Sequence, residues 1–461
     1  MYITNLKQLN KSGLRKKALA LVEAGYESID IRKVIRKKII SKNGLLEFAV
    51  SADSKYKINL NNFDRVFLIG IGKGSALASY YLGKILRSKL KKGIALDIKL
   101  PNEKMIKESP KIEFLTGTHP LPSKKNMAAT AKIEKLAKEV GKKDLVIVFI
   151  CGGGSALACS SKDELTCSLA ATKGLTAMGA DIIELNTVRK HASGIKGGNL
   201  AKLAYPAMVI SLIASDVLGD DLEMIASGPT VLDSTTKKDA ENILRKYKID
   251  PTMFHLVETP KDKKYFRNVN NILFVSNKDA VNAMKHKARE LNLSPKIFSL
   301  KMRGEAKSAF CKLEKGIRSG EIILAAGETT VTFNKTKQKE RYEKGEIHLT
   351  KGEGGRNQEA VLGYLNGLQT ADYRLQKNTK TVDSSPSTVV VSFASDGHDN
   401  TNAAGAIGDY SVLEKAKNLN LDIEKFLENH DSYNFFKKTG DLILSKKGSF
   451  NVADLMVILK E

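Results

Sequence analysis

Several stretches of the chain combine residue types suited to holding an anion. Cys151-Gly152-Gly153-Gly154-Ser155 follows an apolar run. Three successive glycines cost chain entropy and make sense where backbone N–H groups must ring an anion, to which Ser155 adds a hydroxyl. Gly72-Lys73-Gly74 joins an apolar run to a helical stretch that starts near Ser75, so helix N–H groups and a lysine charge share one turn. That turn is neither GxxxxGK[ST] nor a clean GxGxxG, and its plainer reading is a tight turn with a solvated lysine. Residues 182–201 gather Arg189, Lys190, His191 and Lys196 around Gly194 and Gly197-Gly198, a donor set for a carboxylate or phosphate. A solvated helix face would account for those charges, and a lone histidine is more often structural, but neither accounts for the glycine pair. Asp216 stands at the end of an apolar run with Asp220 and Asp221 close by; such carboxylates hold Mg²⁺, accept a proton, or cap a helix. Ser227-Gly228-Pro229-Thr230 is a turn by composition. In the C-terminal half, Gly327-Glu328-Thr329-Thr330, Gly354-Gly355-Arg356 and Asp396-Gly397-His398-Asp399 repeat the theme. Arg356 at a helix start suits a developing phosphoryl charge, or is an ordinary surface arginine after a turn.

These groups must be positioned, and the pattern around them says how. Short Val- and Ile-rich runs at 66–71, 145–150, 207–213, 272–275, 322–325 and 389–393 each lead into a glycine- or Asp-rich turn, several of them followed by a helical stretch. Strand, loop and helix in repetition predict an α/β chain with mainly parallel sheets, with ligands beyond the carboxyl ends of the strands. Residues 14–40 read as an amphipathic helix broken at Gly25. The polar, Lys-rich stretch 257–271 predicts the domain boundary, giving domains 1–262 and 263–461. Two further polar stretches, 335–352 and 375–387, read as an exposed hairpin or insertion and a surface loop.

Composition sets the outer limits. The 461 residues are 42% hydrophobic and 27% charged, which excludes wholesale disorder, collagen-like repeats and a disulfide mini-protein. No apolar run reaches the ~20 residues needed to cross a bilayer, and the N-terminus lacks a secretory pattern, so a cytoplasmic location without membrane partners is expected. Cys151, Cys159, Cys167 and Cys311 lack a metal-ligand spacing and read as reduced thiols. The net charge of +24 would suit nucleic acid, but Trp is absent, aromatics are 6%, and the lysines run from end to end without interleaved rings. Attraction of small anions fits better, and no nucleic-acid partner is expected.

The motifs GIGKGSA, GTHPLP (117–122), GGGSAL, ELNTVRKHASGIKGGNLA, SDVLGDDLEMIASGPT, GETTV, GGRNQE and SDGHDNTNAAGA, in this order, resemble the glycerate 2-kinases of the MOFRL type, a family sometimes named as hydroxypyruvate reductases. The resemblance covers about 66–460. It implies a Rossmann-like N-terminal domain and a MOFRL-type α/β domain with the active site in the cleft between them. It also implies ATP-dependent phosphorylation of D-glycerate to 2-phosphoglycerate with Mg²⁺, and Lys73 and Arg356 as catalytic residues. On that basis Gly152, Gly153, Gly154, Ser155, Ser227, Gly228 and Glu328 are expected at the nucleotide. Arg189, Lys190, His191 and Lys196 are expected at the substrate. Asp216 is expected as a catalytic residue and, with Asp220, at the metal; the molecule is expected to be a monomer or homodimer. The chain departs from the family pattern at Asn400, Asn402 and Ser445-Lys446-Lys447. The competing reading, NAD(P)H-dependent hydroxypyruvate reduction, needs an acid ~20 residues past the glycines. The best placed one is Asp97, 25 residues after Gly72.

Overall fold

The computed structural model describes residues 1–50, 54–314, 317–332, 352–378, 388–446 and 448–461. The chain forms two compact units: 31–276, and 1–30 together with 277–461.

The unit 31–276 opens with a small antiparallel sheet of β1 (Ile39–Lys42), β2 (Leu45–Ala49) and β3 (Lys55–Asn59). Its main sheet contains β4 (Arg65–Ile71), β5 (Leu90–Asp97), β6 (Ile112–Thr116), β7 (Asp144–Ile150), β8 (Met208–Ala214) and β9 (Val269–Val275). Their order is β6-β5-β4-β7-β8-β9, parallel throughout. Every residue of β7 is buried, and all but the first of β4 and β8, as their continuous apolar sequences require when both faces of a parallel sheet are covered. Strand order reverses direction between β4 and β7, and such a switch point opens a crevice at the carboxyl ends of the two strands. The turns carrying Lys73 and Gly152 leave from these two ends.

The other unit has a six-stranded sheet: β10 (Ser294–Met302), β11 (Glu321–Gly327), β12 (Thr388–Ala394), β13 (Gly405–Gly408), β14 (Leu442–Ile443) and β15 (Asp454–Lys460). The order is β10-β11-β15-β12-β13-β14. Only β10 and β11 pair in parallel; the remaining pairs are antiparallel. The expectation of mainly parallel sheets therefore holds for the first unit and fails here, where the sheet is mixed. The reason is β15, which inserts between β11 and β12 and runs against both. It is buried except at Lys460, and an evenly apolar strand carries no mark of its direction.

The expected boundary at 262/263 falls before β9, which pairs with β8 and stays with the first unit. The first 30 residues join the second unit instead. Arg15, fully buried on the helix Gly13–Ile29, donates to Asp409 (2.6 Å) and Asp441 (2.7 Å), and the Tyr26 hydroxyl donates to the Ala394 carbonyl. The 14–40 helix breaks at Asp30, whose backbone is extended, rather than at Gly25, which lies inside Gly13–Ile29. Residues 335–351 and 379–387, read above as an insertion and part of a loop, lie outside the described residues; 375–378 end the helix Arg356–Asn378. Among the described residues no helix is long and apolar enough to cross a membrane.

Candidate active site

In the first unit the turns after β4, β6, β7 and β8 converge. Lys73 N–H donates to the Gly152 carbonyl at 2.9 Å, which ties the β4 and β7 turns together. Gly152 has no room for a side chain: a Cβ there would lie 1.8 Å from Asp216 Oδ2, so the Asp216 carboxylate rests on bare backbone. Gly153 takes a left-handed backbone (φ 78°), and a Cβ on it would meet His119 Nε2 at 3.2 Å and Lys73 Cγ at 3.2 Å. The backbone N–H groups of Gly153, Gly154 and Ser155 have no partner among the described residues and form an open donor set. Ser155 Oγ and Ser227 Oγ share a hydrogen bond of 2.8 Å, and Ser227 Oγ donates to Asn186 Oδ1. Lys73, Gly152, Gly153, Gly154, Ser155, Asp216 and Ser227 are thus brought to one place, with Gly228 following Ser227. The segment holding Ser227 is strained: Asp220, Ala226 and Ser227 all have positive φ without being glycine.

The helix N-terminus after Lys73 is already occupied. Asp97 is buried at the end of β5 and accepts from Gly74 N–H (2.9 Å) and Ala76 N–H (3.0 Å). Burial pushes its carboxyl up against the pull of those N–H groups. An anion therefore meets Lys73 and the glycine turn, not the start of the helix Ser75–Leu86. The same placement removes Asp97 as an acid for a nucleotide ribose.

The basic cluster divides. Lys190 is buried and ion-paired with Asp233, with Glu223 Oε2 at 3.6 Å. His191 is buried, with Nδ1 3.0 Å from the Val257 carbonyl and Nε2 3.3 Å from Thr235 Oγ1. Lys196 is buried in an ion pair with Glu164 and donates to the Ala158 carbonyl at 2.8 Å. Lys190, His191 and Lys196, expected at the substrate, are each committed to partners within this unit. The adjacent glycine pair has a backbone role: Gly197 N–H donates to the Ser227 carbonyl (2.9 Å) and Gly198 N–H to the Gly228 carbonyl (2.8 Å). Arg189 is half-buried, and burial lowers its guanidinium from the usual range. Asp220 is half-buried, and Asp221 caps the Glu223 N–H. Among the described residues no three His, Cys, Asp or Glu side chains cluster as a preformed metal cage.

The second unit builds its own constellation. Arg356 opens the helix Arg356–Asn378 and donates to both oxygens of buried Asp454 and to Glu328 Oε1 (2.5 Å). Burial opposes the Arg356 charge, but Asp454 and Glu328 outweigh it and raise its pKa. Burial likewise pushes the Asp454 carboxyl up, against Arg356. Asp399 is buried beneath the same helix start. It accepts from the Asn357 and Gln358 N–H groups at 3.2 and 3.0 Å, so it caps the helix. Asp396 accepts the His398 N–H in a local turn.

His119 and Asn126 were missed as individuals in the sequence. Asn126 is fully buried. It accepts from Thr118 N–H (2.9 Å) and Ser123 N–H (3.1 Å) and donates to the Thr118, Ala156 and Leu157 carbonyls. It bolts the 117–123 turn onto the segment after the glycine triplet. The usable signal was position: this turn also leaves the carboxyl end of a parallel strand, β6.

Comparison with known proteins agrees with this architecture. Residues 17–259 match a family described as a domain of unknown function, DUF4147, and residues 321–454 match the MOFRL family. A D-glycerate 2-kinase from Thermotoga maritima is 30% identical over 86% of this chain and 91% of its own. A glycerate 2-kinase from Pyrococcus horikoshii is 30% identical over 88% of this chain and 91% of its own. A relative from Agrobacterium vitis, 35% identical over 76% of this chain and 77% of its own, bears a provisional name as a hydroxypyruvate reductase. The crystal structure of a glycerate kinase from Thermotoga maritima superposes with a TM-score of 0.77 at 27% identity, covering 97% of this chain and 99% of that one. With its two family matches spanning both units and its near-full-length relatives, the chain belongs to the DUF4147/MOFRL glycerate 2-kinase family.

Proposed function

We propose that the chain transfers the γ-phosphoryl group of ATP to the 2-hydroxyl of D-glycerate, giving 2-phosphoglycerate and ADP. The observation that carries this reading is the meeting of Lys73, the open N–H groups of Gly153–Ser155 and the Asp216 carboxylate at the switch point of the parallel sheet. Phosphoryl transfer asks a protein mainly for positioning and charge neutralisation, and these groups supply both. In this reading the glycine turn and the Ser227-Gly228 turn hold the phosphates, and Lys73 neutralises charge on the transferred group. Arg189 meets the glycerate carboxylate. In the second unit, Arg356, aligned by Asp454 and Glu328, is a guanidinium suited to neutralising phosphoryl charge. The residues present fit Mg²⁺, which keeps several waters and binds through one or two carboxylates plus substrate phosphates. Asp216, seated on Gly152, and Asp220 would hold it, and it would neutralise phosphate charge.

The direct test is ADP release from ATP that depends on D-glycerate, with the phosphorylated position read by phosphorus NMR. A 3-phosphoglycerate signal would correct the regiochemistry, and absence of any phosphorylated glycerate would remove the reading. The reductase alternative lacks its ribose acid, because Asp97 caps a helix. Loss of NADH absorbance with hydroxypyruvate would revive it.

A further inference from the structure

We propose that His119 is the hydrogen-bond acceptor for the alcohol being phosphorylated: its Nε2 orients the substrate hydroxyl and takes the proton as the new O–P bond completes. This rests on the phosphotransfer reading above. Lys73 and the Gly153–Ser155 N–H groups are donors only. The Ser227 hydroxyl donates to Asn186 Oδ1, so the Ser155 hydroxyl donates to Ser227, and neither is basic enough to hold a proton. Asp216 is assigned to the metal. An alcohol that attacks phosphorus must hand its hydrogen to an acceptor, and His119, against the glycine turn and the Lys73 stem, offers a basic one. Its Nε2 is 3.2 Å from the point where a Gly153 Cβ would stand, on the same face as the Lys73 stem, and it has no hydrogen bond among the described residues.

Two features keep this imidazole ready. Desolvation of the ring and then the Lys73 ammonium lower its pKa, although the residue as a whole is exposed, so near neutral pH one ring nitrogen can accept. Asn126 fixes the turn that carries it, since its amide joins Thr118 to the Ala156 and Leu157 carbonyls behind the glycine triplet. Asn126 is therefore a positioning residue. The step balances: the alcohol oxygen forms the bond to the γ-phosphorus, the bridging P–O bond breaks with its electron pair on ADP, and the hydroxyl proton passes to His119 Nε2. In a loose transition state that proton leaves late, when the oxygen has become acidic, so a weakly basic imidazole suffices.

The experiment compares His119→Phe, which keeps a ring against Gly153 without a nitrogen, with His119→Gln, which restores an acceptor. His119→Phe is expected to lower kcat by about 10²-fold with KM for ATP unchanged, and His119→Gln to recover part of the loss. Asn126→Asp, nearly isosteric but without the amide donor, should lower kcat and add little when combined with His119→Phe. Wild-type kcat in His119→Phe, or a raised ATP KM with kcat intact, overturns the proposal. A wild-type enzyme that forms no phosphorylated glycerate overturns the underlying reading instead, so the two failures are distinct.

Discussion

The carboxylate of Asp216 lies against the bare Cα of Gly152, so close that a methyl group on Gly152 would stand 1.8 Å from Oδ2. Two residues 64 positions apart in sequence thereby fix where an acidic group meets the glycine turn. Gly152→Ala should push Asp216 off its seat. The expected result is a fall in kcat on the order of 10²-fold, the scale of a ~1 Å misplacement, with a folded protein by circular dichroism. Full activity in this variant would show that the seat is not used.

Lys73→Ala removes the charge beside the glycine turn without disturbing a buried partner. It should lower kcat by about 10²–10³-fold and leave the thermal midpoint near that of the wild type. Steady-state kinetics and a melting curve on the same preparation check both halves.

Arg356 differs, because its removal strands Asp454, which is almost fully buried. Arg356→Ala should lower kcat by about 10³-fold and also destabilise the fold. Arg356→Lys keeps the charge but loses the two-pronged contact, so it should fall between them in rate. Equal rates for Lys and wild type would deny any need for the guanidinium geometry.

Lys196 and Glu164 form a fully buried pair. Lys196→Met alone should cost about 3–5 kcal/mol by leaving Glu164 ionised and unpaired, and the double variant Lys196→Met/Glu164→Gln should recover much of it. Urea denaturation measures the cycle. KM for D-glycerate should stay unchanged in the double variant, in keeping with a scaffold role.

Asp144, at the start of β7, supplies a pH signature away from the site. Burial raises its carboxyl, but Arg65 and the Gly141 N–H outweigh that and hold it below the ordinary carboxylate range. A depressed acid contributes stability that is present above the unfolded pKa of ~3.9 and is lost as pH falls through the folded value. Asp144→Asn should therefore flatten the decline of stability below about pH 4. An unchanged acid limb would show that other carboxylates set it.

Much of this was legible in the residues themselves. The strand runs, the turns at their carboxyl ends, the glycine triplet and the Lys73 turn follow from local chemistry: apolar length makes a buried strand, and bare backbone is needed where a group must come close. The ordered motifs carried the family and the activity it implies. Which charges are committed was decided by the tertiary structure. Lys190 meets Asp233 43 residues away, and Lys196 meets Glu164 32 residues away, so no window of sequence separates these cations from Lys73. Burial, which makes an unpaired charge costly, ties two of the expected substrate ligands to internal partners. The direction of β15, the seat of Asp97 on a helix start and the place of His119 beside Gly153 are likewise long-range facts. They depend on which surfaces pack together, and pairing between distant segments leaves no mark on either segment alone.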